Sequence, residues 1–322
     1  MHLKQFVSDL NVREEVKSIF LVKYLAINEG RDGRKYLNAI LSDKTGDLEA
    51  RAWSNAEILA SQIKKGDFVW ALGKINVYQG RKQLIVSEMS LANMDDVVNE
   101  DYIVKSEFAA EDMYQELLQM VEGLQDVYIR DLLLQILKDD KIAPMLKLAS
   151  AGKSIHHAYQ SGLIEHINSC SKLALILSKH YNLREGFVLA GAILHDIGKI
   201  FELTLGPSVE YTDEGKLVGH LVRGAELVES YSQNIKEFPE DTKMHLKHIL
   251  LSHHGELQFG SPKVPHTSEA MLVHYIDMLD SKLNSFDMIK KSDSSTGTWS
   301  NFVKHLDRIV YKKELPLYTE YL

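Results

Sequence analysis

The chain has 322 residues, of which 45% are apolar and 25% are charged, as in ordinary globular proteins, and this length is enough for two domains. Its one cysteine, Cys170, excludes a disulfide framework and a thiolate zinc cluster. The N-terminus does not read as a signal peptide, and no apolar run approaches a membrane span, so we expect a cytoplasmic protein without a membrane partner.

The net charge of −8 is unevenly distributed. Residues 1–92 carry 14 Lys and Arg against 11 Asp and Glu, whereas the rest of the chain carries 23 against 34. The basic part could face phosphate and the acidic part could be neutralised by metal, although chance segregation would give the same totals. Histidine is more informative, because twelve of the 14 lie between His156 and His274.

The first ninety residues predict a small barrel. Apolar or alternating segments predict strands at 17–27, 35–42, 47–53, 68–77 and 83–91. Ser54 can cap a short helix that runs to about Ile63. Three strands, a short helix and two further strands is the order of the five-stranded OB-fold β-barrel.

Barrels of this kind bind single-stranded nucleic acid by stacking bases on aromatic rings and pairing phosphates with cations. Arg51 and Trp53 share the outward face of the third strand, opposite Leu48, Ala50 and Ala52. The alternative is that Tyr36 and Trp70 are core residues and the others are surface residues. The candidate binding residues are Tyr36, Arg51, Trp53, Tyr78, Arg81 and Lys82.

After the barrel the apolar period changes from two residues to that of a helix. We predict an OB-fold domain at 1–92, an acidic linker at 93–109 and an all-α domain at 110–322. Helices are expected at Glu111–Glu122 and Asp126–Lys138, and Pro144 begins or breaks another. A last helix is expected at Trp299–Tyr311.

The helical part brings polar groups to the ends of apolar helices. The segment AGAILHDIGK, residues 190–199, ends a buried helix with His195 and Asp196 side by side. A buried imidazole beside a carboxylate is costly without a partner, and a divalent ion is the usual partner. A lone His on an apolar stripe, such as His166, is more often a core residue. Further candidate ligands on other helices are His166, His220, His253, His254 and Asp277.

Imidazoles and carboxylates from five helices would suit one or two divalent ions. Two ions that share a carboxylate could hold a phosphodiester and activate water, and Asp196 is the natural bridge. Lys199 could hold a phosphate oxygen, or it could be a solvated helix end. His156 and His157 line a substrate channel or lie in an ordinary loop. Asp280, one turn beyond Asp277, competes with it for the last ligand position.

The order His, His-Asp, His, His-His, Asp resembles the HD-domain superfamily of metal-dependent phosphohydrolases, with HDIGK at 195–199 as the most specific fragment and a motif core at 155–285. An OB-fold before an HD domain resembles the YhaM family of 3′→5′ exoribonucleases. HHAYQSGLIEH at 156–166 and LSHHGELQFGSP at 251–262 are also similar to that family.

The resemblance implies a metal-dependent 3′→5′ exonuclease that releases nucleoside 5′-monophosphates from single-stranded RNA and, in some members, from single-stranded DNA. It implies two ions, manganese or cobalt, although iron and zinc accept the same ligands. Carried onto this sequence, the metal ligands are His166, His195, Asp196, His220, His253, His254 and Asp277, with Asp196 and Lys199 catalytic. The sequence also admits a homo-oligomer.

Two alternatives stay open at this stage. One is another HD-superfamily hydrolase acting on cyclic dinucleotides or nucleotides; residues 259–262 read FGSP rather than a GYP motif, and a small substrate gives the barrel no use. The other is a non-catalytic factor that binds single strands, in which the helical domain is structural.

Overall fold

The structure is a computed structural model that describes residues 4–30, 32–78, 80–153, 157–293, 295 and 297–314. It divides into two compact units, one holding the chain up to Val104 with residues 206–208, and the other holding the rest. This division falls inside the predicted linker. The predicted domain limits of 1–92, 93–109 and 110–322 themselves stay a prediction.

The N-terminal unit is a closed five-stranded barrel with the strand order β1-β2-β3-β5-β4, and it confirms the predicted OB-fold. All strand pairs are antiparallel except β3 and β5, which run parallel. Apolar side chains at alternate positions fill the barrel, as period-two strands require. The elements are β1 (Glu15–Glu29), β2 (Lys35–Asp43), β3 (Gly46–Ala52), α1 (Ala56–Gln62), β4 (Phe68–Tyr78) and β5 (Arg81–Leu91).

The predicted cap of the short helix is wrong in detail. Asn55, not Ser54, is the residue that precedes α1, and it has φ 55° without a side-chain cap hydrogen bond. Asparagine adopts this left-handed conformation more readily than most residues. The helix therefore begins at Ala56 through a backbone turn rather than through a serine hydroxyl.

The segment that follows β5 packs on the outside of the barrel. Tyr102 is buried against Ile19 and Leu21, and its hydroxyl donates to the backbone oxygen of Ile19 at 3.0 Å. Its ring meets that of Phe68 edge to face, with centroids 4.8 Å apart. This part of the predicted linker is therefore held against β1 and β4.

The second unit is helical and surrounds a central helix, α6, whose residues Phe187–Leu194 are all buried. This helix packs against α3, α5, α10 and α11, and one continuous apolar core joins them. No helix of the described residues is long and apolar enough to cross a membrane. The helices are α2 (Ala110–Glu122), α3 (Val127–Leu137), α4 (Ile142–Leu148), α5 (Gly162–His180), α6 (Glu185–Leu194), α7 (Lys199–Glu202), α8 (Asp213–Leu217), α9 (His220–Ser232), α10 (Glu240–Ser252) and α11 (Ser268–Ser292).

The predicted last helix at Trp299–Tyr311 is wrong. This segment forms an extended hairpin in which Trp299 pairs with Tyr311 and Val303 with Arg308. Aromatic and β-branched residues favour extended pairing, and the Trp299 and Tyr311 rings pack with centroids 5.0 Å apart. Asp307, with φ 53°, supplies the reversal of direction that a helix could not contain.

Candidate metal centre and nucleic-acid interface

Five histidines and two aspartates from different helices meet at one place in the helical unit. His166 lies in α5, Asp277 lies in α11, and His220 is the first residue of α9. The other four follow the ends of α6 and α10, where the chain turns: His195, Asp196, His253 and His254. All seven are the predicted ligand residues, and they are brought together from positions up to 111 residues apart along the chain.

Asp196 stands at the centre of this arrangement. Its Oδ2 lies 3.5 Å from Nε2 of His195 and 3.6 Å from Nε2 of His166. Its Oδ1 lies 3.5 Å from Nε2 of His220 and 3.7 Å from Nε2 of His253. One carboxylate thus faces two sets of imidazoles with its two different oxygens.

We call the first set, His166, His195 and Asp277, the His166 group. Nε2 of His166 lies 3.0 Å from Nε2 of His195 and 3.3 Å from Oδ1 of Asp277. The second set, His220, His253 and His254, is the His220 group, in which Nε2 of His220 lies 3.3 Å from Nε2 of His254. Ligands about 2.1 Å from an ion are separated by about 3.0–3.4 Å at octahedral or tetrahedral angles, and these three distances fall in that range.

Hydrogen bonds fix the tautomers so that every Nε2 faces inward. The Nδ1 atoms of His195, His253 and His254 lie 2.8–3.0 Å from the backbone oxygens of Ala192, Leu250 and Phe259. A carbonyl oxygen only accepts, so each Nδ1 must carry the proton and each Nε2 must offer a lone pair. Nε2 of His253 is fully buried and has no hydrogen-bond partner among the residues that the structure describes, as expected for an atom that binds a cation.

The remaining two histidines of the site donate to carboxylates. Nδ1 of His220 lies 2.9 Å from Oε2 of Glu202, and Nδ1 of His166 lies 2.7 Å from Oδ2 of Asp280. A metal-binding histidine commonly donates its other N–H to a carboxylate or carbonyl, which fixes the ring. Glu202 was not predicted from the sequence, although this rule makes an acid close after the HDIGK fragment a reasonable place to look.

The choice between Asp277 and Asp280 follows from their hydrogen bonds. Asp280 accepts from His166, His157 and the Ser169 hydroxyl, so its lone pairs are occupied on the outer side of the His166 ring. Asp277 lies on the inner side, with Oδ1 3.8 Å from Nε2 of His195. The geometry favours Asp277 as a ligand and gives Asp280 the role of orienting His166.

Cys170 also lies close to the His166 ring, with Sγ 3.7 Å from Nδ1. Burial raises the pKa of this thiol to about 11, so it is a neutral thiol at physiological pH. Its sulfur is nearer to Nδ1, which faces Asp280, than to the inward Nε2. By charge and by position, the carboxylate of Asp277 is therefore a better candidate metal ligand than this thiol.

The charges at the site favour bound cations. Burial opposes ionisation of Asp196, but Lys199 and His195 hold the pKa of its carboxyl well below the usual range. Burial alone would lower the pKa of His166, yet hydrogen bonds to the carboxylates of Asp277 and Asp280 hold it well above its ordinary value. The site thus stabilises positive charge at Nε2 of His166, which a proton or a metal ion can supply.

Lys199, predicted as catalytic, donates from Nζ to Oδ2 of Asp196 at 2.7 Å. Burial would lower the pKa of this ammonium, but Asp196 raises it. The close approach of α9 depends on Gly198, since a Cβ at this position would lie 2.3 Å from the backbone oxygen of His220. The Gly-Lys pair of the HDIGK fragment therefore supports the site directly.

The other histidines of the predicted region have separate roles. His274 donates from Nδ1 to the backbone oxygen of His253 at 2.7 Å, which braces the turn after α10. His248 accepts the backbone N–H of His266, and His245 lies between Arg184 and Glu269. His156 lies outside the described residues.

On the barrel, four of the six predicted nucleic-acid residues form one cluster. The Tyr36 and Trp53 rings have centroids 4.6 Å apart, and the guanidinium of Arg51 lies 5.3 Å from the Tyr36 ring and 5.1 Å from that of Tyr78. Trp53 and Tyr78 are 45% and 52% exposed. Rings at the surface beside a cation are the features that stack bases in single-strand-binding barrels.

The two other predicted cations are already engaged. Nζ of Lys82 donates to the backbone oxygen of Leu10 at 2.6 Å. Arg81 lies 3.7 Å from Oε1 of Glu49, with more than half of its side chain exposed. The aromatic cluster with Arg51 is therefore the stronger candidate surface.

Comparison with known proteins agrees with this division. Residues 15–92 match the family described as OB-fold nucleic acid binding domain, and residues 163–282 match the HD domain. Neither match covers half of the chain.

Among solved structures, the second OB-fold domain of replication protein A from Methanococcus maripaludis is 18% identical over 30% of this chain and 99% of that chain, with a TM-score of 0.24. A replication factor A related protein from Methanobacterium thermoautotrophicum is 22% identical over 29% and 93%, with a TM-score of 0.23. Asparaginyl-tRNA synthetase from Pyrococcus horikoshii is 14% identical over 42% and 36%, with a TM-score of 0.25.

The chain therefore carries an OB-fold nucleic acid binding domain followed by an HD domain, a combination that supports a nucleic-acid-binding, metal-dependent phosphohydrolase.

Proposed function

We propose that this protein is a 3′→5′ exoribonuclease of the YhaM type, which releases nucleoside 5′-monophosphates from single-stranded RNA and also acts on single-stranded DNA. The observation that carries the proposal is the position of Asp196, whose two oxygens face two separate groups of imidazole lone pairs. The aromatic cluster on the barrel gives such an enzyme a surface for a single strand.

The proposed metal ligands are the His166 group, the His220 group and Asp196 between them. Two divalent ions, manganese or cobalt, would supply Lewis acidity toward the phosphodiester and lower the pKa of water. The residues of the chain hold the ligand set in place, because each imidazole is fixed by a hydrogen bond at Nδ1.

Lys199 has a different proposed role. Its ammonium keeps Asp196 ionised in a buried setting and stands beside the carboxylate that both groups share. From there it can hold a phosphate oxygen of the bound strand, where a fixed positive charge stabilises the charge that develops during cleavage.

The test uses 5′-labelled RNA incubated with metal-free protein, then with manganese, cobalt, iron or zinc added. We expect a ladder that shortens from the 3′ end and release of nucleoside 5′-monophosphates. A circular RNA of the same sequence is the matched control, and it should stay intact because it has no end. The same linear and circular substrates made of DNA measure the preference between ribose and deoxyribose.

Three outcomes would contradict the proposal. Cleavage of the circle would show an endonuclease. Binding without degradation under every ion would favour a single-strand-binding factor. Selective hydrolysis of cyclic dinucleotides or free nucleotides would favour another HD-superfamily activity.

A further inference from the structure

The outer side of the His166 ring carries a network that the ligand set does not use. Asp280 accepts at Oδ2 from Nδ1 of His166 at 2.7 Å and from the ring of His157, whose Nε2 is 3.0 Å away. An ionised carboxylate only accepts, so the nearer nitrogen of each ring carries a proton. His157 therefore shares one oxygen with a proposed metal ligand.

The pose of His157 is fixed from several directions. Its backbone N–H donates to Oδ1 of Asn284 at 2.9 Å, and its backbone oxygen accepts from the N–H of Ala151 at 3.1 Å. Nδ1 of its ring lies 3.0 Å from the hydroxyl of Tyr159, which in turn donates to Glu165 at 3.0 Å. His157 is 3% exposed, whereas its partners Tyr159, Glu165, Asp280 and Asn284 are half-buried, so these partners shield its ring from solvent.

The backbone at His157 also departs from ordinary geometry. Its φ is 44°, in the region that residues with side chains seldom adopt. Gly162 makes room for it, since a Cβ there would lie 2.1 Å from the backbone oxygen of His157. A strained residue persists only where its surroundings hold it, and such residues cluster at functional sites.

We propose that His157 is a positioning residue for the metal centre. By donating to Asp280, His157 fixes the carboxylate that orients the His166 ring. Nε2 of His166 is then held toward His195 and Asp277. The inference rests on the proposed metal site but not on the RNA substrate. Among the described residues His157 has no direct contact with the His220 group, so its main effect should fall on one ion of the two.

The experiment titrates manganese into metal-free protein by calorimetry, with stoichiometry from equilibrium dialysis. His157→Ala should lower the affinity for the ion at the His166 group by about 10–100-fold, the usual effect of losing a hydrogen-bond partner of a ligand. The affinity for the ion at the His220 group should be unchanged. His157→Gln should recover most of the loss, because its amide nitrogen can take the position of Nε2 and donate to Asp280.

Ser171→Ala is the matched control, since it alters a buried hydroxyl of α5 for which the described part of the chain offers no hydrogen-bond partner. It should leave both affinities unchanged. Tyr159→Phe removes only the hydroxyl beside His157, and it should cause a smaller loss at the same ion. Tyr159→Phe therefore tests the positioning role of His157 even if His157→Ala does not fold.

Unchanged affinities in His157→Ala and Tyr159→Phe, or equal loss of both ions, would overturn the proposal. Failure of His157→Gln to recover affinity would also count against it. If the unaltered protein itself binds no manganese, the proposed function falls together with this inference. If it binds two ions that the variants bind equally well, only the role of His157 falls.

Discussion

His166 and His195 present Nε2 to Nε2 at 3.0 Å, although the other nitrogen of each ring is committed as a donor. Two lone pairs cannot face each other at this distance without a cation between or beside them. In metal-free protein a proton on His166 can satisfy the pair, since the pKa of that ring is raised. A divalent ion bound at the proposed site would replace this proton, so the pair suits positive charge.

The proposed bridging role of Asp196 gives the first prediction. Asp196→Asn should abolish binding of both ions and lower turnover of RNA by about 1,000-fold or more, because a ligand of both ions loses its charge. Asp277→Asn should remove only the ion of the His166 group. Metal stoichiometry by dialysis separates the two variants, and single-strand affinity should be unchanged in both. Wild-type turnover in Asp196→Asn would contradict the bridge.

The buried pair of Lys199 and Asp196 gives the second prediction. Lys199→Met should destabilise metal-free protein by about 3 kcal/mol, because it leaves a buried carboxylate without its cation. Manganese should then raise the melting temperature of the variant more than that of wild type, since bound ions compensate the same charge. Chemical and thermal denaturation with and without metal measure both effects.

The control for this prediction is Lys216→Met. Lys216 forms the same i, i+3 pair with Asp213, but both side chains are exposed. Exposed ion pairs contribute little to stability, so the free energy of unfolding of Lys216→Met should differ from that of wild type by less than about 1 kcal/mol. Equal effects of the two substitutions would show that burial of Asp196 is not what makes Lys199 important.

The barrel cluster gives the third prediction. Trp53→Ala should weaken RNA binding by about 1–3 kcal/mol, the usual contribution of one stacked base. Tyr24→Ala is the control, because Tyr24 is another exposed aromatic of the same barrel and lies on β1 outside the cluster. Fluorescence anisotropy with labelled RNA measures both. An unchanged dissociation constant in Trp53→Ala would remove Trp53 from the binding face, and an equal loss in the two variants would show that the cluster is not the preferred surface.

The pKa of His254 gives the fourth prediction. Burial, and then the neighbouring His253 and His220, lower this pKa to about 4 in the folded protein. In the unfolded chain the same ring takes up its proton near pH 6.5, about 2.5 pH units above the folded value. Acid therefore favours the unfolded chain, so the stability from this group is present above pH 6.5 and is lost as pH falls toward 4. Between pH 7 and 5 the loss should be about 2 kcal/mol in metal-free protein.

His254→Asn removes the titrating ring and tests whether this group causes the loss of stability as pH falls. Its free energy of unfolding should fall by about 2 kcal/mol less than that of wild type between pH 7 and 5. Urea denaturation at the two pH values gives the comparison. A variant whose stability follows pH as steeply as wild type would show that other histidines carry the dependence.

Much of the fold follows from local patterns. Alternation at Leu48, Ala50 and Ala52 predicts β3 correctly, because a strand with one buried face needs a period of two. The errors fall where local rules compete. Ser54 is a good cap by composition but Asn55 takes the position, and Trp299–Tyr311 pairs as a hairpin although its spacing also suits a helix.

The candidate ligands were all named from the sequence, because polar groups on apolar helices need a partner and the order of motifs around the HDIGK fragment is specific. The supporting roles were not predicted. Glu202 was not singled out, Asp280 was named only as a competing ligand, and His157 only as a channel or loop residue. Their distances to the rings of His220 and His166 give them their roles. The ambiguity between Asp277 and Asp280 had the same origin, since one helical turn separates them.

The sequence by itself determined which kinds of atoms are available and on which elements they lie: an aromatic barrel face, and imidazoles and carboxylates on apolar helices. The tertiary structure decided which nitrogen of each ring faces inward and which oxygen of Asp196 faces which group. The physical reason is that helix periodicity is a local property, whereas the direction of a hydrogen bond depends on a partner that another helix supplies.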